Sequence, residues 1–257
     1  MSGGMTHTHL WPPGTAAAIG RSLRLYRGRP DRDAALDRLY APFLGPGTLA
    51  FDIGAHVGDR TASFRRLGAR VVAVDPQPAC LRALRLLHGR DPGVVLVGAA
   101  VDAAPGRARM RVNVANPTVS TLSGDFVAAA ADAAGWQGQQ WDAEADVTVT
   151  TLDALIAAHG RPDFVKIDVE GLEDRVLAGL TAPVPALSFE FTTLDRRPAL
   201  AALDRLGAVG RWSLALTLGD EDHRLEGDWT DRDGMAGRLT DLPDAANSGD
   251  VYARLIP

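Results

Sequence analysis

Short apolar runs alternate with longer amphipathic stretches along most of the chain. The runs, rich in β-branched residues, stand at 48–53, 70–74, 94–101, 163–169, 186–191 and 212–218. Between most of them lie helical segments expected to end at Gly68, Gly89, Gly160 and Gly207, where a residue without a Cβ can take the left-handed C′ position. An earlier helix is predicted from Asp31, with Ala35, Leu39, Tyr40 and Phe43 at spacings of three and four, until Gly45-Pro46-Gly47 stops it. Strands this continuously apolar, alternating with helices, predict a parallel sheet covered on both faces: a single doubly wound α/β domain.

The rhythm breaks twice. An extra strand at 107–114 leads into an alanine-rich insertion at about 116–146 that carries Trp136 and Trp141, and a polar stretch at about 219–250 precedes a last strand at 251–256. The domain is expected to cover 31–257, with 1–30 as an N-terminal leader, partly disordered. At 257 residues, such a domain can bury roughly three-quarters of its unfolded surface.

Composition narrows the class. Hydrophobic residues at 46% and charged residues at 23% exclude a disordered tail or a membrane bundle. A net charge of −5 opposes an electrostatic grip on nucleic acid or an anionic membrane. Cys80 is the one cysteine, so an internal disulfide framework and a multi-cysteine zinc site are excluded. His7 and His9 do not make a metal site, and no metal is expected, with a cation held by Asp168 and a neighbouring acid as the lesser reading. Residues 1–14 carry neither an export-signal pattern nor an apolar membrane span. A cytoplasmic protein without nucleic-acid or membrane partners is therefore expected.

The candidate chemistry begins where the first strand runs into Gly54-Ala55-His56-Val57-Gly58. Glycines beyond a strand's carboxyl end let the backbone approach a ligand, but the G-x-G-x-x-G of a dinucleotide site is absent. Asp52 sits on the strand end, where an anion would repel a pyrophosphate and suit the ammonium of an amino-acid ligand. Asp75 ends the second strand 17 residues after Gly58, placed to accept hydrogen bonds from ribose hydroxyls. Adenosine joined to an amino acid without phosphate is S-adenosylmethionine.

The chain's one lysine, Lys166, lies in Phe164-Val165-Lys166-Ile167-Asp168-Val169-Glu170-Gly171. Strand alternation puts Lys166, Asp168 and Glu170 on one face. Buried charges there must pair or line a polar cleft, and the same holds for Glu190 in the next strand.

Together with Val74-Asp75-Pro76-Gln77-Pro78, Thr151-Leu152-Asp153 and Phe189-Glu190, these strings resemble the FkbM family of S-adenosylmethionine-dependent methyltransferases. The resemblance runs from about 48 to 191, and Asp250-Val251-Tyr252-Ala253-Arg254 also looks like the family's last strand. Two positions depart from the family pattern: His56 stands where Asn is usual, and Asp75 where Glu is commoner. His56 is left with three readings: a contact to the methionine carboxylate, a loop stabiliser, or a tolerated change.

The resemblance implies a class I methyltransferase (Rossmann-like) sheet, mostly parallel with an antiparallel last strand. It also implies a cofactor at Asp52, Gly54, His56, Gly58, Asp75, Pro76 and Ala100. The implied reaction is O-methylation of a hydroxylated small molecule, a sugar or polyketide-type specialised metabolite such as those of antibiotic biosynthesis. N-methylation, or an inactive ligand-binding fold, stands as the alternative. Asp168 is the first candidate general base, then Glu170, then Glu190. Lys166 is expected to pair with Asp168, Glu190 or Asp52, or else to stabilise an alkoxide. Trp136, Trp141, Ser120 and Thr121 are expected to meet the substrate, with His223 and Trp229 as weaker candidates.

Overall fold

The computed structural model describes residues 12–133, 135–219 and 223–257; His7 and His9 lie outside them. The chain opens with helices α1 (Thr15–Tyr26) and α2 (Pro30–Tyr40), then β1 (Leu49–Ile53), α3 (Asp59–Arg66), β2 (Arg70–Val74), α4 (Pro78–His88) and β3 (Val94–Val97). A side layer follows: β4 (Ala100–Val101), β5 (Gly106–Val112), α5 (Gly124–Asp132) and β6 (Ala143–Thr150). The main alternation resumes with α6 (Leu152–His159), β7 (Phe164–Ile167), α7 (Glu173–Ala178), β8 (Ala186–Thr192), α8 (Arg197–Val209) and β9 (Trp212–Leu218). It closes with β10 (Glu226–Thr230), α9 (Arg232–Asp241) and β11 (Ser248–Leu255).

Among the described residues the main sheet has the order β10-β9-β11-β8-β7-β1-β2-β3. The five strands β3, β2, β1, β7 and β8 are parallel, and β11 inserts antiparallel between β8 and β9. The doubly wound sheet with an antiparallel last strand is thus present. Strand order reverses between β1 and β7, and a crevice opens beyond their carboxyl ends at such a switch point.

Alternation along the strands splits the core in two. Phe51, Ile53, Val165, Ile167 and Leu187 face helices α6 to α9, while Ala50, Phe164 and Tyr252 face α2 to α4. Tyr40, Phe64 and Phe164 meet edge-on in the second core at centroid distances of 4.8–6.0 Å. Local signals set the helix starts. Ser123, Thr151 and Asp231 each accept a backbone N–H at the starts of α5, α6 and α9, satisfying donors the helix leaves free.

Several boundaries differ from expectation. The run at 94–101 splits, with β3 in the main sheet and β4 pairing β6 in a second sheet of order β4-β6-β5. β6 lies partly inside the expected insertion, with Val147 and Val149 buried on alternate positions. The polar stretch before the last strand holds β10 and α9. α8 runs through Gly207 to Val209 because Leu206 and Val209 continue the buried face. Gly68 and Gly160 take left-handed angles, φ 91 and 99, whereas Gly89 stays right-handed at φ −66. The last strand starts at Ser248, not Val251, and residues 15–26 of the expected leader form α1. No helix of the described residues is long and apolar enough to cross a membrane.

Candidate active site

β1 ends at Ile53, and the chain turns sharply through Gly54, whose N–H, like that of Ala55, donates to the Val74 carbonyl. A Cβ on Gly54 would lie 1.8 Å from the Asp168 carbonyl oxygen. The glycine therefore lets the β1 loop lie against the turn after β7, a close approach within the protein itself. Gly58 begins α3 at φ 77, and its missing Cβ makes room for Leu84 and His88.

Asp75 follows β2 directly, with one carboxylate oxygen accepting the His56 N–H at 2.8 Å and the other the Gln77 N–H at 2.7 Å. Burial pushes its pKa up to about 7, although both backbone donors pull it down. Asp52 is 2% exposed and accepts the Thr61 hydroxyl. Burial lifts it to about 6 against that hydrogen bond. His56 is held at φ 48, and Tyr26 of α1 meets its ring edge-on at 5.8 Å. Burial lowers the imidazole pKa, and Nε2 is buried with no hydrogen-bond partner among the described residues.

Next to Asp52, on β7, stands Lys166, 2% exposed. Its register neighbours are Asp52 on β1 and Ser188 on β8. Nζ donates to Asp168 Oδ2 at 3.1 Å and to Asp250 Oδ1 at 2.9 Å. Burial works against the ammonium, yet the two carboxylates outweigh it and hold its pKa well above the usual lysine value. No hydrogen bond from Lys166 reaches Glu190 or Asp52. Asp250, from β11, stands in the string that resembles the family's last strand but was not among the candidate site residues.

Strand alternation does not bring the acids together as expected. β7 stops at Ile167, and the chain turns through Glu170 at φ 60 and Gly171 at φ 93. The turn is pinned by Glu173 Oε1, which accepts the N–H groups of Val169 and Gly171, and by the Thr121 hydroxyl on the Glu170 carbonyl at 2.7 Å. Asp168, Glu170 and Glu190 nonetheless converge, each offering an oxygen within 4.8 Å of the others. They are the one such group of three among the described residues, an all-oxygen set of the kind that suits a hard divalent cation. Burial, reinforced by the Asp168 charge, raises Glu170 and Glu190 well above ordinary glutamate values. Neither Glu side chain has a hydrogen-bonding cation; Asp168 does.

These acids and Lys166 open on one cavity of about 780 Å³, within the range of small-molecule sites. Asp52, Gly54, His56, Asp75, Pro76 and Ala100 line it, as do Lys166, Asp168, Glu170 and Glu190. Gly58 does not. Ser120, Thr121 and Trp136 are on the wall, while Trp141 lies behind Phe126 and donates its indole N–H to the Val119 carbonyl at 2.9 Å. Ser120 also accepts the Asn113 N–H. Arg21, Leu25 and Tyr26 of α1 and Asp250 complete the wall, which sequence reasoning missed. His223 instead meets Arg32 at 2.8 Å, and Trp229 stacks under Arg254.

The pattern of the methyltransferase FkbM domain matches residues 52–195, more than half of the chain. No curated protein matches. Among solved structures, the chain is similar to an O-methyltransferase from Bacillus cereus in complex with SAH, at 10% identity and TM-score 0.47, covering 97% of this chain and 94% of that one. A precorrin-6y C5,15-methyltransferase from Geobacter metallireducens gives 14% identity and TM-score 0.44, covering 88% and 86%. A SAM-dependent O-methyltransferase from Thermotoga maritima gives 10% and 0.44, covering 93% and 71%. The residues present fit S-adenosylmethionine: the buried carboxylates of Asp52 and Asp75 line the cavity and would accept from ammonium and hydroxyl donors, and the buried His56 Nε2 lacks a partner among the described residues.

Proposed function

The chain belongs to the FkbM methyltransferase family, with S-adenosylmethionine as its cofactor, and on that premise we propose that it methylates a hydroxyl group of a small molecule. A sugar or polyketide-type specialised metabolite is the acceptor class we favour. The observation that carries this reading is the convergence of Asp168, Glu170 and Glu190 in the cavity that Asp52 and Asp75 also line. A hydroxyl must shed a proton as it attacks, and carboxylates supply the acceptor.

The bound cofactor supplies an activated methyl group on a sulfonium that departs as a neutral thioether. Asp75 would accept from the ribose hydroxyls and Asp52 would face the ammonium. The cavity wall holds the acceptor, and orientation of this kind is worth roughly 7–11 kcal/mol of barrier. Lys166 occupies Asp168 Oδ2, so Oδ1 takes the hydroxyl proton as the acceptor oxygen attacks. A general base of this kind contributes about 10²–10⁴-fold. Burial and the Asp168 charge raise Glu170 and Glu190 above the usual glutamate range, and their carboxyl groups stand beside Asp168 to hydrogen-bond the acceptor. Trp136 offers a flat apolar face to a ring.

The test is incubation with methyl-labelled S-adenosylmethionine and a panel of hydroxylated and aminated small molecules, read as a mass gain of one methyl. Transfer to a hydroxyl is expected, and Asp168→Asn should lower kcat about 10²-fold or more while S-adenosylhomocysteine still binds. Transfer to amines alone would overturn the hydroxyl reading in favour of N-methylation.

A further inference from the structure

Asp250 belongs to neither of the motif strings that frame the cofactor, and it reaches the site from the far side of the sheet order. β11 runs antiparallel beside β8, with Asp250 opposite Glu190 and Tyr252 opposite Ser188. One row of the sheet therefore reads Asp52, Lys166, Ser188, Tyr252 across four strands. All four are buried.

A lysine has a flexible four-carbon stem and three donors. In this row it has several acids to choose from: Asp52 beside it in register, Asp168 two residues on, and Glu190 on the next strand. A single tie to Asp168 would leave the ammonium free to swing toward either of the others. The second tie, 2.9 Å to Asp250 Oδ1, removes that freedom, because two partners from different strands fix a point between them. Asp250 is itself held, its N–H donating to the Thr217 hydroxyl of β9 at 3.3 Å. Its side chain is 11% exposed, against 33% for Asp168. Both acids line the cavity; the more buried one, Asp250, anchors, and the more exposed one, Asp168, is the more open to an acceptor.

We propose that Asp250 is a positioning residue of the methyl-transfer site: by tying down Lys166 Nζ it aims one N–H at Asp168 Oδ2 and leaves Oδ1 open to the acceptor. This rests on the methyl-transfer reading for its consequence but not for its geometry.

The sequence supplies an unusually clean test, since Lys166 is the chain's one lysine. Feeding lysine labelled with ¹⁵N at Nζ gives a single side-chain signal in the full-length protein, and burial slows its hydrogen exchange enough to observe the ammonium. In the wild-type protein one sharp ammonium signal is expected. Asp250→Asn should shift and broaden it, whereas Asp204→Asn, an exposed acid tied to Arg232, should leave it unchanged. With the acceptor found by the labelled-methyl panel, Asp250→Asn should lower kcat about tenfold, with the S-adenosylhomocysteine Kd and acceptor KM within about twofold. Asp250→Glu, which keeps the charge, should recover most of the loss and serves if the Asn variant does not fold. An unchanged lysine signal in Asp250→Asn would overturn the proposal, as would an unchanged kcat. The resonance is read without any acceptor, so failure of the hydroxyl reading leaves it standing.

Discussion

Asp75 and Asp52 end adjacent strands with almost no water around them, and burial holds them at about 7 and about 6, above the usual 3.8. For groups raised in this way the folded state binds more protons than the unfolded one. Their contribution to stability is full below about pH 3.8 and is lost as pH rises through 6 and then 7. Cofactor hydroxyls and an ammonium reverse this by favouring the charged carboxylates. S-adenosylhomocysteine is therefore expected to bind more tightly as pH rises from about 5.5 to 7.5 and to release protons near pH 6.5. Titration calorimetry in two buffers of different ionisation enthalpy checks this, and zero proton release would contradict it. Asp52, Asp75, Lys166 and Asp168 were legible in the sequence because each sits at a strand end marked by a short motif. The route by which Glu170 joins Asp168 was not. It depends on a left-handed turn pinned by Glu173 and Thr121, and strand alternation has no means of expressing that.

Among the elements, α1 departs furthest from expectation. Its sequence reads as a leader, yet Ala18 and Ser22 are buried, Tyr26 packs on His56, and Arg27 Nη1 donates to the Gly58 carbonyl at 2.5 Å. It covers the glycine loop and walls the cavity. The double variant Tyr26→Ala/Arg27→Ala should release S-adenosylhomocysteine about tenfold faster, equivalent to ~1.4 kcal/mol, with little change in melting temperature; stopped-flow displacement measures it. An unchanged release rate would mean that α1 does not retain the cofactor. β6 and β10 escaped notice for a related reason. Half-exposed strands in small or edge positions lack the continuous apolar runs that announced the central strands.

At the scale of the whole molecule, one sheet carries both Asp52 and Lys166, so ligand binding and global stability are linked. At a ligand concentration of 100 Kd the folded state gains about 2.7 kcal/mol. For a domain of this size that is a rise of about 5–10 °C. Scanning calorimetry with S-adenosylhomocysteine should show this shift in a single transition; no shift would remove the cofactor from the cavity. Three carboxyl groups converge in the cavity, and the cation beside them, Lys166, is shared by Asp168 and Asp250.

By itself the sequence determined the doubly wound sheet, the cofactor loop and the identity of Lys166, Asp168 and Asp75. Those features follow from periodicity, turn chemistry and strings of under a dozen residues, all of them local. Only the tertiary structure decided that Lys166 has Asp250 as its second partner, 84 residues away, that α1 closes over the glycine loop, and that Glu170 turns back to meet Glu190. These depend on which strand inserts beside which and on how helices pack across the sheet. The free energy of such contacts comes from burial shared between distant segments, so no single segment carries their signature.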